Sequence, residues 1–125
     1  MKKLLFTIII ISMFTTSVIS EIKIGIVLGF TGPIESLTPA MADSAEIAFK
    51  EASASGSLLN GETITVVKVD TTCRDSSVAS AVAKEIISQG VKAILGGVCS
   101  EVTETILSEA AIPNRIVMIS PAATS

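Results

Sequence analysis

Three residues of this 125-residue sequence are best suited to chemistry: Cys73, Cys99 and Ser100, which follows the second cysteine. Cys99 stands in "GGVCS" (96–100), where an apolar run gives way to polar residues. Four roles are open to it: nucleophile, metal ligand, disulfide partner or small core residue. The sequence has no histidine. That removes Cys–His and Ser–His dyads, the commonest routes to an activated nucleophile. It also removes His-bearing zinc sites, and two cysteines alone cannot close a structural zinc site.

The compartment decides between the remaining roles. The chain begins "MKKLLFTIIIISMFTTSVISE", with two lysines, an apolar run from Leu4 to Phe14, then small and hydroxylated residues. This is the three-part pattern of a secretory signal peptide, with cleavage expected between Ser20 and Glu21. The apolar run is shorter than the roughly 20 residues that span a bilayer. No cysteine follows the expected cut, which argues against a lipid anchor there. An even cysteine count in a secreted chain favours a disulfide, with a free buried pair or a reactive thiol as alternatives. A Cys73–Cys99 bridge closes a loop of roughly 27 residues, worth about 3–4 kcal/mol in the chain-entropy model.

Removing Lys2 and Lys3 with the leader takes the formal charge from -3 to -5. A mildly acidic chain with no basic run argues against nucleic acid as a partner. Trp and Tyr are absent, so the chain offers neither as a stacking platform for bases or sugars. The glycines form neither a dinucleotide fingerprint nor a Walker motif.

The elements that must position these residues follow from hydrophobic patterning. "EIKIGIVLGF" (21–30) is apolar on nearly every residue after Lys23, as a strand buried on both faces should be. Pro39 suits the first turn of a helix over 39–55, with Met41, Ala45, Ala48, Phe49 and Ala52 inward. "TITVVKVD" (63–70) is rich in β-branched residues and reads as a second strand. Residues 77–89 place Val78, Val82 and Ile86 on one helical stripe, with Ala79 and Ala83 beside it and Gly90 just past the end. "VKAIL" (91–95) is a third strand. A third helix spans 100–111 with Val102, Ile106 and Ala110 inward, and "RIVMIS" (115–120) is a fourth strand.

Strands alternating with helices predict an α/β fold: an open parallel sheet with right-handed crossovers and helices on both faces. In such a sheet the loops after the strands share the carboxyl edge, where ligands bind. "GFTGP", "TTC", "GGVCS" and "SPAATS" therefore gather along one rim. Both cysteines fall on that rim, after strands two and three, and adjacent placement of those strands would suit a bridge. Ser100 is expected at the N-cap of the third helix. The same geometry would let it present a hydroxyl to a ligand carboxylate. Capping is the simpler use from spacing alone, since Glu101 and Glu104 already bring negative charge to that turn.

Taken together, "IKIGIVLGFTGP", "VDTTC", "VKAILGGVCS" and "VMISPAATS" resemble the N-terminal lobe of one family. It is the periplasmic substrate-binding proteins of branched-chain amino acid ABC transporters, with their amide- and urea-binding relatives. The resemblance implies a type I periplasmic binding protein lobe over 21–125 behind a signal peptide at 1–20, with the second lobe absent. It implies that Ser100 and Thr124, with nearby N–H groups at Ala123, hold an amino acid's carboxylate. The Ala122 carbonyl, with Thr124, would hold its ammonium. It also implies a Cys73–Cys99 disulfide. Members carry an aromatic residue in the first rim loop where this chain has Leu37, so the favoured ligand side chain is not fixed by the match.

The implied role is non-enzymatic: an extracytoplasmic monomer without cofactor or metal, delivering an amino acid or amide to a cognate inner-membrane permease. A ligand-sensing receptor domain of the same fold is the alternative. An enzyme using Cys99 would require a free thiol. A lobe gripping one side of its ligand is expected to bind weakly by itself.

Overall fold

The computed structural model describes residues 20–124. The expected leader at 1–20 therefore lies outside the described residues apart from Ser20. Strand β1 (Glu21–Leu28) leads to helix α1 (Thr38–Ala54), then to strand β2 (Thr63–Asp70) and helix α2 (Ser76–Ser88). Strand β3 (Ala93–Gly96), helix α3 (Ser100–Ile106), a π-helical turn (Leu107–Ala111) and strand β4 (Val117–Ile119) complete the order. All pairings are parallel, in the order β2-β1-β3-β4.

Alternation along β1 explains the two layers of helix. Ile26, Val27 and Leu28 are fully buried, and successive side chains point to opposite faces. Ile26 and Leu28 pack with Ala42, Met41, Ala45 and Phe49 of α1. Val27 packs with Ala79, Ala83 and Ile86 of α2 and with Val102 and Ile106 of α3. The sheet thus carries α1 on one face and α2 with α3 on the other, as the alternation predicts. On α2 the buried stripe is Ala79, Ala83 and Ile86, whereas Val78 is exposed. The small alanines let that helix lie close on the sheet.

Several boundaries differ from expectation, each for a local reason. β1 ends at Leu28 because the buried Thr38 hydroxyl donates to the Gly29 carbonyl at 2.9 Å, turning the chain into α1. α2 begins at Ser76 because Asp75 caps it, its carboxylate accepting from Ser77 N–H at 2.8 Å and Val78 N–H at 3.3 Å. The third helix does not run uniformly over 100–111. After Ile106 it widens, so that the Ile112 N–H reaches the Leu107 carbonyl at 2.9 Å. The wider turn buries both Ala110 and Ala111 and brings Glu109 to the Ser80 hydroxyl at 2.7 Å. Cys99, not Ser100, occupies the N-cap of α3; Ser100 is the first helical residue and makes no capping bond.

Gly96 is required for close approach. A Cβ at Gly96 would stand 2.0 Å from the Val27 carbonyl oxygen, and φ there is +151°. Gly56 also has positive φ, +68°, but nothing lies within 4 Å of its Cβ position. Gly56→Ala should cost about 1 kcal/mol, the ordinary left-handed penalty. Gly96→Ala should cost about 4 kcal/mol or more, enough to threaten folding. Urea denaturation of the two variants checks the ranking.

Candidate ligand-binding site

The sheet changes direction between β1 and β3. The chain leaves β1 for β2 at one edge and leaves β3 for β4 at the other. Loops that diverge in this way open a crevice at the strands' carboxyl ends. Residues 29–37, 71–75, 97–99 and 120–124 border it.

Cys73 and Cys99 form a disulfide with Cα atoms 5.7 Å apart. The expectation that their strands are adjacent is corrected by the strand order, because β1 lies between β2 and β3. Two strand spacings are about 10 Å, so both loops must bend inward over the end of β1. Thr72 and Cys73 provide the bend, with φ of 57° and 54°. The bridge passes directly over Gly29, where a Cβ would sit 3.0 Å from Cys73 Sγ. Neither cysteine is free, so Cys99 offers no nucleophile in this state.

Asp70, the last residue of β2, locks the first rim loop to the second. Its carboxylate accepts from the Thr31 hydroxyl at 2.5 Å, the Thr31 N–H at 3.3 Å and the Thr72 N–H at 2.8 Å. Partial burial pushes its pKa up, but the bonds from Thr31, Thr72 and Phe30 outweigh burial and hold it below the usual value. Gly32 closes the lock: φ is +97°, and a Cβ there would meet the Thr72 carbonyl oxygen at 2.3 Å.

Ser120 joins the third and fourth loops. Its hydroxyl donates to the Gly97 carbonyl at 2.6 Å and accepts from Ala123 N–H at 2.9 Å and Ala122 N–H at 3.4 Å. The Ser100 hydroxyl accepts from the Thr124 N–H at 3.4 Å. Ser100, Ala122, Ala123 and Thr124 are therefore gathered in one place, with Thr124 and Ala122 exposed. Leu37 is not joined to them by any hydrogen bond; it precedes α1 and is 56% exposed. Asp70, Ser120 and Gly29 carry structural roles that the sequence alone did not reveal. An acid ending an otherwise β-branched strand was the one available signal, at Asp70.

The site lies along the rim, with Ala122 and Thr124 exposed. A cavity of about 250 Å³ is lined by Phe30, Pro39, Ala42, Asp43 and Lys68 and includes neither Ser100 nor Thr124. Lys68 there is paired with Glu46 at 2.6 Å. Among the described residues no group of acids and cysteines could hold a metal ion, and no described helix is long and apolar enough to cross a membrane.

A parallel sheet with polar loops converging at its direction change is the architecture of an open α/β lobe. The family model described as periplasmic binding protein matches residues 21–125, and the chain belongs to that family. The Leu/Ile/Val-binding protein of Citrobacter freundii is 32% identical over 124 residues, covering 99% of this chain and 33% of that protein. The Leu/Ile/Val-binding protein of Escherichia coli K12 is 32% identical over 84% of this chain and 28% of its own length. The branched-chain amino acid transporter substrate-binding protein LivJ of Streptococcus pneumoniae, in complex with isoleucine, superposes with a TM-score of 0.75. It is 28% identical over 85% of this chain and 30% of that chain. An ABC transporter substrate-binding protein of Desulfitobacterium hafniense, in complex with Leu, gives 0.70 at 28% identity over 85% of this chain and 30% of its own. The chain thus spans about a third of the length of the curated relatives it matches.

Two outcomes follow from this geometry. Replacing both cysteines by serine should destabilise the chain by about 3 kcal/mol, and mass spectrometry should find neither native cysteine alkylated without reductant. Asp70, whose folded pKa is lowered, stabilises the fold fully above its unfolded pKa of about 3.9. That contribution is lost as pH falls through the lower folded value. Asp70→Asn should therefore lower stability near neutrality and flatten the acid limb of a stability-versus-pH curve.

Proposed function

We propose that this chain is the amino-acid-gripping lobe of an extracytoplasmic solute-binding component of an ABC transporter. The ligand is a branched-chain amino acid or a related amide. The observation that carries the reading is the Ser100 hydroxyl beside the Thr124 N–H, in a crevice where the strands diverge. The names of the relatives at 32% identity support it.

The chemistry follows from donors and acceptors. The Ser100–Thr124 bond is long, at 3.4 Å, so a carboxylate oxygen competes for it at little loss. Hydrogen bonds to a charged group contribute about 1.5–3 kcal/mol each, more than neutral ones. The Ser100 and Thr124 hydroxyls and the Thr124 N–H take the carboxylate, and the Ala123 N–H, which donates to Ser120 at 2.9 Å, reaches it only by exchanging that bond. The Ala122 carbonyl, with Thr124, takes the ammonium. Leu37 offers an aliphatic contact to the ligand side chain from the first rim loop. This grip requires no cofactor and no covalent step.

The reading carries a compartment and a partner. The sequence pattern at 1–20, two lysines, an apolar run and small residues, is that of a secretory leader. This supports export to the periplasm and removal of residues 1–20, leaving a monomer that delivers its ligand to a cognate permease. One-sided contact makes binding by this lobe weak. L-Leucine titrated into the isotope-labelled chain should shift the amide signals of Ser100, Ala123 and Thr124, with a Kd of about 1 mM or weaker. Ser100→Ala should abolish the response. Shifts confined to other residues, or submicromolar affinity, would contradict the proposed grip.

A further inference from the structure

Among the described strands β2 is an edge, paired only with β1. Its side chains alternate between faces, so Val66 and Lys68 share the side toward α1, where Val66 packs with the α1 cluster. Pro39, Ala42, Asp43 and Glu46 stand three and four residues apart along α1 and so share one face of that helix. Glu46 reaches Lys68 at 2.6 Å and closes the gap between helix and strand. Nearer the first turn, Pro39 and Ala42 are too short to close it. The result is the cavity of about 250 Å³ walled by Phe30, Pro39 and Ala42 and lined as well by Asp43 and Lys68.

The cavity is smaller than the roughly 300–1,000 Å³ of drug-sized sites, so its occupant is one small molecule. Its two charges select which. Glu46 engages one of the three donors of the Lys68 ammonium and leaves two. Asp43 has no ion pair among the described residues. It lies close enough to raise the Lys68 pKa, after the larger effect of Glu46. An anion drawn to Lys68 would meet Asp43, and a cation drawn to Asp43 would meet Lys68. A molecule that carries both charges satisfies both groups. The Phe30 ring, Pro39 and the Ala42 methyl require that the rest of it be apolar.

We propose that this cavity binds a small zwitterion, an α-amino acid with an apolar side chain. Its carboxylate meets Lys68, its ammonium meets Asp43 and its side chain lies against Phe30 and Pro39. The cavity includes none of Ser100, Ala122, Ala123 and Thr124. The site is therefore separate from the crevice and does not depend on the grip proposed there. It adjoins the first rim loop, because Phe30 directly precedes Thr31, which Asp70 holds.

L-Leucine titrated into the isotope-labelled chain should shift the amide signals of Ala42, Asp43 and Lys68. Exposed ion pairs are weak, so half-saturation is expected at about 10 mM. Isocaproate and isoamylamine keep the side chain of leucine and lose one charge each. Either should shift these signals about fivefold less at equal concentration. Asp43→Asn, and separately Lys68→Gln, should abolish the cavity shifts and leave those of Ser100 and Thr124. Ser100→Ala should leave the cavity shifts in place. Equal shifts from the three probes, shifts that survive both cavity variants, or no shift at Ala42, Asp43 and Lys68 would overturn the proposal. So would their loss in Ser100→Ala, because they would then be propagated from the crevice. Cavity shifts with a silent Ser100 cluster would uphold this proposal and contradict only the grip at Ser100.

Discussion

The covalent link between Cys73 and Cys99 spans a gap that the sheet itself leaves open. β2 and β3 do not touch, because β1 runs between them. A bridge with its Cα atoms 5.7 Å apart forces the two loops to meet above the end of β1. Everything nearby is shaped to permit this. Gly29 has no side chain to obstruct the sulfur, and Thr72 and Cys73 adopt left-handed conformations that turn the chain inward. Asp70 then secures the outer side of the same loop through Thr31 and Thr72.

The consequence is that four separate loops behave as one rim. The first is tied to the second by Asp70, the second to the third by the disulfide, and the third to the fourth by Ser120 and Ser100. Ser100 lies immediately after Cys99, so the bridge fixes the place of its hydroxyl beside Thr124. A weak polar ligand gains most from groups already held in position, because little side-chain and loop entropy is then lost on binding.

Much of this was legible in the sequence. The alternation of β-branched runs with helical stripes gave the parallel sheet and its two helical layers, and strand β2 fell where "TITVVKVD" placed it. The rim followed from the fold class, which places Ser100 and Thr124 along the same edge of the sheet. What was hidden depended on strand order. Reading β2 and β3 as neighbours made the disulfide look simple, and it concealed why Gly29 is a glycine. Local competition hid the rest. Asp75 caps the second helix and starts it one residue before the expected 77, Cys99 displaced Ser100 from the next cap, and burial of Ala110 with Ala111 widened a turn that regular periodicity could not foresee. Leu37 was placed by family resemblance, and no hydrogen bond links it to the Ser100 cluster.

The central claim is that the disulfide organises the rim without being needed to hold the sheet. Amide hydrogen exchange on the oxidised and the gently reduced chain, under conditions where both remain folded, tests it most directly. The account predicts that reduction speeds exchange at Thr72, Thr103 and Ala123, whose N–H groups are bonded within the rim, and leaves Ile26, Val27 and Ile94 in the sheet protected. Unchanged exchange at those rim amides after reduction would contradict it.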